Sequence, residues 1–109
     1  MKKIYIAKST IAGRGIFAGE DIKKGTFVTP LLGKLIHRIY KKSADYKSEG
    51  TWVPVAVNWW INPTFPIRYI NHSCEPNLGF KTPRRAYALH NIYKGEELTV
   101  DYSTIEYVD

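Results

Sequence analysis

Short runs of β-branched and aromatic residues recur along the chain, most of them closed by glycine or proline, a pattern that predicts strands joined by tight turns. Residues 3–7 form the first run, and Thr10-Ile11-Ala12-Gly13-Arg14-Gly15 behind it is a turn carrying two glycines. Ile16, Phe17 and Ala18 resume a strand, residues 19–25 are a polar turn ending on Gly25, and residues 26–29 form the next strand. Pro30-Leu31-Leu32-Gly33 interrupts the pattern; residues 34–37 restart it, with Ile39 and Tyr40 as a candidate extension. Residues 41–50 are basic and polar with little apolar periodicity, equally compatible with a short helix and with a mobile insertion.

Residues 51–60 return to aromatic and β-branched side chains, and Pro54 inside them predicts an edge strand, because proline cannot donate to a ladder. Residues 62–66 read as loop. The run Arg68-Tyr69-Ile70-Asn71-His72-Ser73-Cys74-Glu75-Pro76-Asn77 then concentrates turn-forming residues that bond to neighbouring backbone or stiffen it, predicting a compact, tied-down loop. Residues 78–80 and 85–91 are short strand candidates around a Lys-Thr-Pro-Arg turn. The last unit, residues 93–102, is a turn into a strand in which Leu98, Val100 and Tyr102 share one face and Thr99 and Asp101 the other. Lys24-Gly25 and Lys94-Gly95 each open a strand, a likeness too short to establish a repeat. About seven short strands with little helix predict a mostly β fold, open or barrel-like.

Composition narrows this picture. At 109 residues, with 44% hydrophobic and 14% aromatic content, the chain suits one core, so residues 1–109 are expected to form a single domain. No apolar run nears the ~20 residues of a bilayer span, and Met1-Lys2-Lys3 does not lead into a signal peptide; a cytoplasmic location is expected, or a nuclear one in a eukaryote, with no membrane partner. One cysteine makes no internal disulfide, and three irregularly spaced histidines with it do not resemble a zinc site, so no metal is expected. The net charge of +6 is unevenly spread: residues 94–109 carry one lysine against five acids, a net of −4, and the remainder is +10. That split is compatible with a basic β-domain binding nucleic acid, and equally with charges that only keep the domain soluble.

Four stretches together carry a resemblance. Gly13-Arg14-Gly15-Ile16-Phe17-Ala18, Ile22-Lys23-Lys24-Gly25, the run from Arg68 to Asn77, and Gly95-Glu96-Glu97-Leu98-Thr99-Val100-Asp101-Tyr102 resemble the SET domain in order and spacing, over nearly the whole chain. The resemblance implies a fold of several small curled sheets with a knot-like C-terminal crossing, in which the loop 71–77 and the last strand meet. It implies a protein-lysine methyltransferase using S-adenosylmethionine, acting on a lysine-bearing protein, histone-like or otherwise DNA-associated. A fold can be kept without its activity, so a non-catalytic SET-like binding module is a further reading.

Site roles follow from the same resemblance. It assigns Gly13, Arg14 and Gly15 to backbone contact with the methionine part of the cofactor, where absence of a Cβ permits close approach. Asn71 is assigned to the cofactor's amino group and His72, through its main chain, to the adenine edge. Arg68 is placed either on the cofactor carboxylate or against a neighbouring acid. Cys74 falls on a small buried position and is read as packing. Tyr102 matches the catalytic tyrosine, orienting an unprotonated lysine amine for in-line displacement, and Tyr107 matches an aromatic over the lysine channel.

Three departures accompany the likeness. No cysteine-rich zinc segment follows, so channel closure is expected from residues 103–109 or from a second subunit in a homodimer. The second channel tyrosine of several relatives has no clear counterpart, with Tyr40, Tyr46, Trp52, Trp59 and Trp60 all candidates. Pro30-Leu31-Leu32-Gly33 stands where acidic and aromatic residues are usual.

Overall fold

The computed structural model describes residues 1–37, 53–56, 59–81 and 85–101. Within them lie ten short strands and one 3-10 turn, arranged as four small sheets. Strand β1 (Ile4–Lys8) pairs antiparallel with β2 (Arg14–Ala18), the Gly-x-Gly turn forming the hairpin between them. Two antiparallel three-stranded sheets follow. One has β3 (Phe27–Pro30), β9 (Arg85–Ala88) and β8 (Leu78–Lys81) in the order β3-β9-β8; the other has β4 (Gly33–His37), β6 (Trp59–Pro63) and β5 (Val53–Ala56) in the order β4-β6-β5. The fourth sheet is the parallel pair β7 (Asn71–His72) and β10 (Thr99–Val100), reached from β6 through the 3-10 turn Ile67–Tyr69.

Among the described residues the mostly β expectation, with little helix, holds, and β5 with Pro54 is an edge strand. Residues 51–60, read as one strand, contribute instead to two antiparallel strands, β5 and β6. The predicted loop at 62–63 is the end of β6, where Pro63 pairs with Gly33; a strand terminus accepts a residue without an N–H. Residues 41–50 lie outside the described residues, as do Tyr40, Tyr46 and Trp52.

Alternation explains the core. Ile16 and Ala18 of β2, Leu78 and Phe80 of β8, and Ala86 and Ala88 of β9 turn inward at period two, whereas in β3 the successive residues Val28 and Thr29 are both buried at a register shift. Ile61 of β6 and Val100 of β10 join them from the other sheets, with Ile67, Ile70 and Leu98 from the segments between strands, so one cluster spans all four. Each fully buried aliphatic side chain contributes about 1.5–3 kcal/mol relative to exposure.

The two Lys-Gly turns, too alike in too few residues to establish a repeat from sequence, clasp each other. Ile22 and Ile92 exchange backbone bonds at 2.7 and 2.8 Å. Asn91 Oδ1 accepts from the Lys24 N–H at 2.9 Å, and Asp21 Oδ1 from the Lys94 N–H at 2.8 Å. The Gly25 N–H bonds to Ala88 O and the Gly95 N–H to Ala18 O, both at 2.8 Å. Each bond thus has a counterpart in which the turns exchange roles. Both glycines have positive φ, +83° and +92°, which explains glycine at each place. This clasp anchors residues 96–100, and they carry the strand that enters the site.

Candidate active site

Asn71 occupies the centre of the site because β7 is short and bonded along one edge to β10, with Thr99 opposite Asn71 and Val100 opposite His72. The Ser73 N–H continues the ladder onto Val100 O at 3.0 Å. On its other side β10 is tied to the same loop by Asn77, whose Nδ2 donates to Glu97 O and whose Oδ1 accepts from the Thr99 N–H, each at 2.8 Å. The final strand is therefore held between β7 and Asn77, the expected crossing of the loop 71–77 with the C-terminal strand. Leu98 and Val100 are buried as the alternation predicts. Thr99, predicted on the opposite face, is only 7% exposed, because the loop covers it and its Oγ1 accepts from the Asn77 N–H.

The Asn71 amide reaches from β7 into the hairpin. Nδ2 lies 3.1 Å from Ala12 O, 3.2 Å from Arg14 O, 3.1 Å from Ser9 Oγ and 2.8 Å from Glu97 Oε2. The Ser9 hydroxyl lies 2.7 and 2.9 Å from the two Glu97 carboxylate oxygens, sharing its proton with that group. Ser9 Oγ also accepts from the Ile11 N–H at 2.9 Å, and the Ser9 N–H closes the turn on Gly13 O at 2.8 Å. The two glycines thus have different reasons. Gly13 sits at φ +46° with open space around it, whereas a Cβ on Gly15 would collide with the Glu97 carboxylate and crowd Asn71 Nδ2. An open cavity of about 430 Å³ borders this turn, lined by Ile6, Ala7, Lys8 and Arg14.

Glu97, like its partner Ser9, is a site residue that sequence reasoning did not single out. It stood in the quoted Gly95–Tyr102 stretch, but its Ser9 partner lies 88 positions away. Other expectations change as well. Arg68 Nη1 donates to Asn62 Oδ1 at 2.7 Å and to Pro63 O at 3.2 Å, so it pins the loop to β6 through an amide and a carbonyl rather than an acid. Cys74, expected as buried packing, is exposed. The reason is local: the Glu75 N–H bonds to Ser73 Oγ, turning the chain outward directly after β7. Cys74 Sγ lies 3.8 Å from His72 Nε2, and His72 Nδ1 lies 3.8 Å from Asp101 Oδ1. Tyr102 and Tyr107 lie outside the described residues; Asp101 marks where β10 leads.

The family model for the SET domain matches residues 13–103. The chain belongs to the SET-domain family. Among its relatives, the Drosophila melanogaster histone-lysine N-methyltransferase trr is 32% identical over 91% of this chain and 5% of that protein. The histone-lysine N-methyltransferase ASHH3 of Arabidopsis thaliana is 28% identical over 98% of this chain and 34% of its own length. Among solved structures, ctPRC2 in an autoinhibited conformation bound to S-adenosylmethionine matches with a TM-score of 0.78 and 27% identity, over 93% of this chain and 15% of that one. A humanized mutant of the Chaetomium thermophilum Polycomb Repressive Complex 2, bound to the inhibitor GSK126, matches at 0.79 and 28%, with the same coverage. The chain spans about a third or less of the relatives it matches. The fold is that of SET domains, several small sheets with, among the described residues, a single 3-10 turn for helix. Within the described residues no helix is long and apolar enough to cross a membrane.

Proposed function

We propose that this domain transfers the methyl group of S-adenosylmethionine to the ε-amine of a lysine on a protein substrate. The observation that carries the reading is the junction of the Gly-x-Gly turn with Asn71: Ala12 O and Arg14 O both lie within hydrogen-bond distance of the Asn71 amide, in a chain of the SET family. Bound there, S-adenosylmethionine supplies an electrophilic methyl group.

The residues at the junction fit such a ligand. Gly13 and Gly15 leave their two positions in the turn without a Cβ. The Asn71 amide turns its nitrogen to the turn, leaving its oxygen as an acceptor for an ammonium. Lys8 and Arg14 at the neighbouring cavity are cations suited to a carboxylate. His72 contributes main chain toward an adenine edge, and Arg68, bonded to Asn62 and Pro63, serves the site by holding the loop to β6.

Tyr102 is proposed as the catalytic residue, one position beyond Asp101, its phenol oxygen orienting the lysine amine. The amine must be neutral to attack, and exclusion of water beside a cationic donor lowers its pKa from near 10.4. Tyr107 is proposed to cover the lysine channel, which residues 103–109 or a second copy of the chain would complete. Relatives named for histone lysines, and the acidic residues 94–109, favour a basic, histone-like or DNA-associated substrate. Those names lend no support to a cytoplasmic location; such a substrate would place the domain with DNA.

Radiolabelled transfer from S-adenosylmethionine onto a panel of basic proteins, with mapping of the modified residue by mass spectrometry, tests the reading. Tyr102→Phe should keep cofactor binding and lose methyl transfer by orders of magnitude. Equal loss of both, or unchanged turnover, would remove Tyr102 from the catalytic role. Cofactor binding without transfer to any offered protein would favour the non-catalytic binding module.

A further inference from the structure

The environment of the Asn71 amide is rich in acceptors. Ser9 Oγ, Ala12 O, Arg14 O and Glu97 Oε2 surround Nδ2 within 3.2 Å, while Nδ2 carries only two protons and Ser9 contributes one. An amide oxygen turned inward would face all of them without a proton to offer. The nitrogen must therefore point inward, and the amide carbon carries its oxygen on the opposite side. Glu97 makes the shortest of the four contacts, at 2.8 Å, and is the only one with a formal charge. It also accepts from Ser9 through both oxygens, so the hydroxyl, the carboxylate and the amide close a ring between the β1–β2 turn, β7 and the segment that leads into β10. The Cβ that Gly15 lacks would occupy the same place.

We infer that Glu97, braced by Ser9, is a positioning residue of the cofactor site: it sets the orientation of the Asn71 amide, so that the oxygen rather than the nitrogen meets the ammonium of S-adenosylmethionine. The inference rests on the function proposed above. Glu97 acts through Asn71 and touches no reacting atom. Its placement depends on the final strand, because Glu97 O is held by Asn77 and Leu98 bonds to Ile16 O at 2.7 Å. The seating of β10 and the orientation of the Asn71 amide against the Gly-x-Gly turn are thus linked through one side chain.

A double-mutant cycle tests this. Dissociation constants for S-adenosylmethionine are measured by calorimetry on the full chain for wild type, Glu97→Ala, Asn71→Ala and the double variant, at a temperature where circular dichroism shows all four folded. Glu97→Ala should weaken binding about tenfold or more, the loss expected of a hydrogen bond to a charged group. In the Asn71→Ala background the same change should have less than about a threefold effect, because there is no amide left to orient. Glu97→Gln, which keeps an acceptor of the same reach, should bind within about threefold of wild type. KM for the cofactor should rise in Glu97→Ala with kcat at saturation nearly unchanged. Losses that add across the cycle, or Glu97→Ala binding like wild type, would overturn the inference while leaving the methyltransferase reading in place. A wild-type chain that does not bind S-adenosylmethionine would overturn both. If Glu97→Ala does not fold, Ser9→Ala, which removes the brace, enters the same cycle with the same expected signs.

Discussion

Replacing Asn77 with alanine isolates the tie that holds β10 against the loop. The side chain accepts from the Thr99 N–H and donates to Glu97 O, both at 2.8 Å in partly buried surroundings, and Thr99 itself is 7% exposed. Alanine leaves a backbone donor and a backbone acceptor unpaired, each costing roughly 1–3 kcal/mol where water cannot replace the partner fully. Partial solvent access at Glu97 trims the sum to about 2–4 kcal/mol. Against a total stability of about 5–15 kcal/mol for a domain of this size, that is a large fraction. It corresponds to a fall in Tm of roughly 10–20 °C. The assay is urea unfolding followed by tryptophan fluorescence and circular dichroism, comparing midpoints at equal slope. Asn77→Asp is the informative control. It keeps the acceptor for Thr99 but sets a carboxylate against Glu97 O, so it should be at least as damaging as alanine despite its size. An Asn77→Ala loss below about 0.5 kcal/mol, or an aspartate variant close to wild type, would refute the claim that this amide seats the last strand.

Gly15→Ala should weaken S-adenosylmethionine binding more than tenfold by calorimetry, because the new methyl displaces the Glu97 carboxylate from Asn71. Gly13→Ala has open space and pays only for its backbone conformation, about 1 kcal/mol in urea unfolding, with a smaller effect on affinity. Gly25→Ala and Gly95→Ala, at φ +83° and +92° with nothing near the missing Cβ, should each cost about 1–2 kcal/mol and resemble each other, as their matched turns require. Ile92→Ala, at 1% exposure opposite Ile22, should lose about 2–5 kcal/mol by the same unfolding assay.

Most of what decided the strands was local. β-branched runs ended by glycine or proline placed β1, β2, β3 and β8 within a residue or two, and β9 at its first residue with its end at Ala88 overshot by three, because pleat periodicity and turn chemistry act between near neighbours. The two-residue spacing of Leu98 and Val100 gave their buried face for the same reason. The run from Arg68 to Asn77 marked the seat of the site, and its likeness to the SET domain named the partner strand before any geometry was known.

The sequence by itself therefore determined the β character and the core faces, and its resemblance to the SET domain grouped Gly13, Gly15 and Asn71 as one candidate site. Tertiary structure alone decided what those residues touch. Glu97 meets Ser9 across 88 positions and Asn71 across 26, a closure that depends on how β10 is laid between β7 and Asn77. The clasp of the two Lys-Gly turns, the capture of Arg68 by β6 and the outward turn at Cys74 belong to the same class. Propensity and periodicity register the conformation of a residue and the side it presents. They carry no record of which distant hydrogen-bond partner will arrive there, because that is set by the packing of all four sheets around one core.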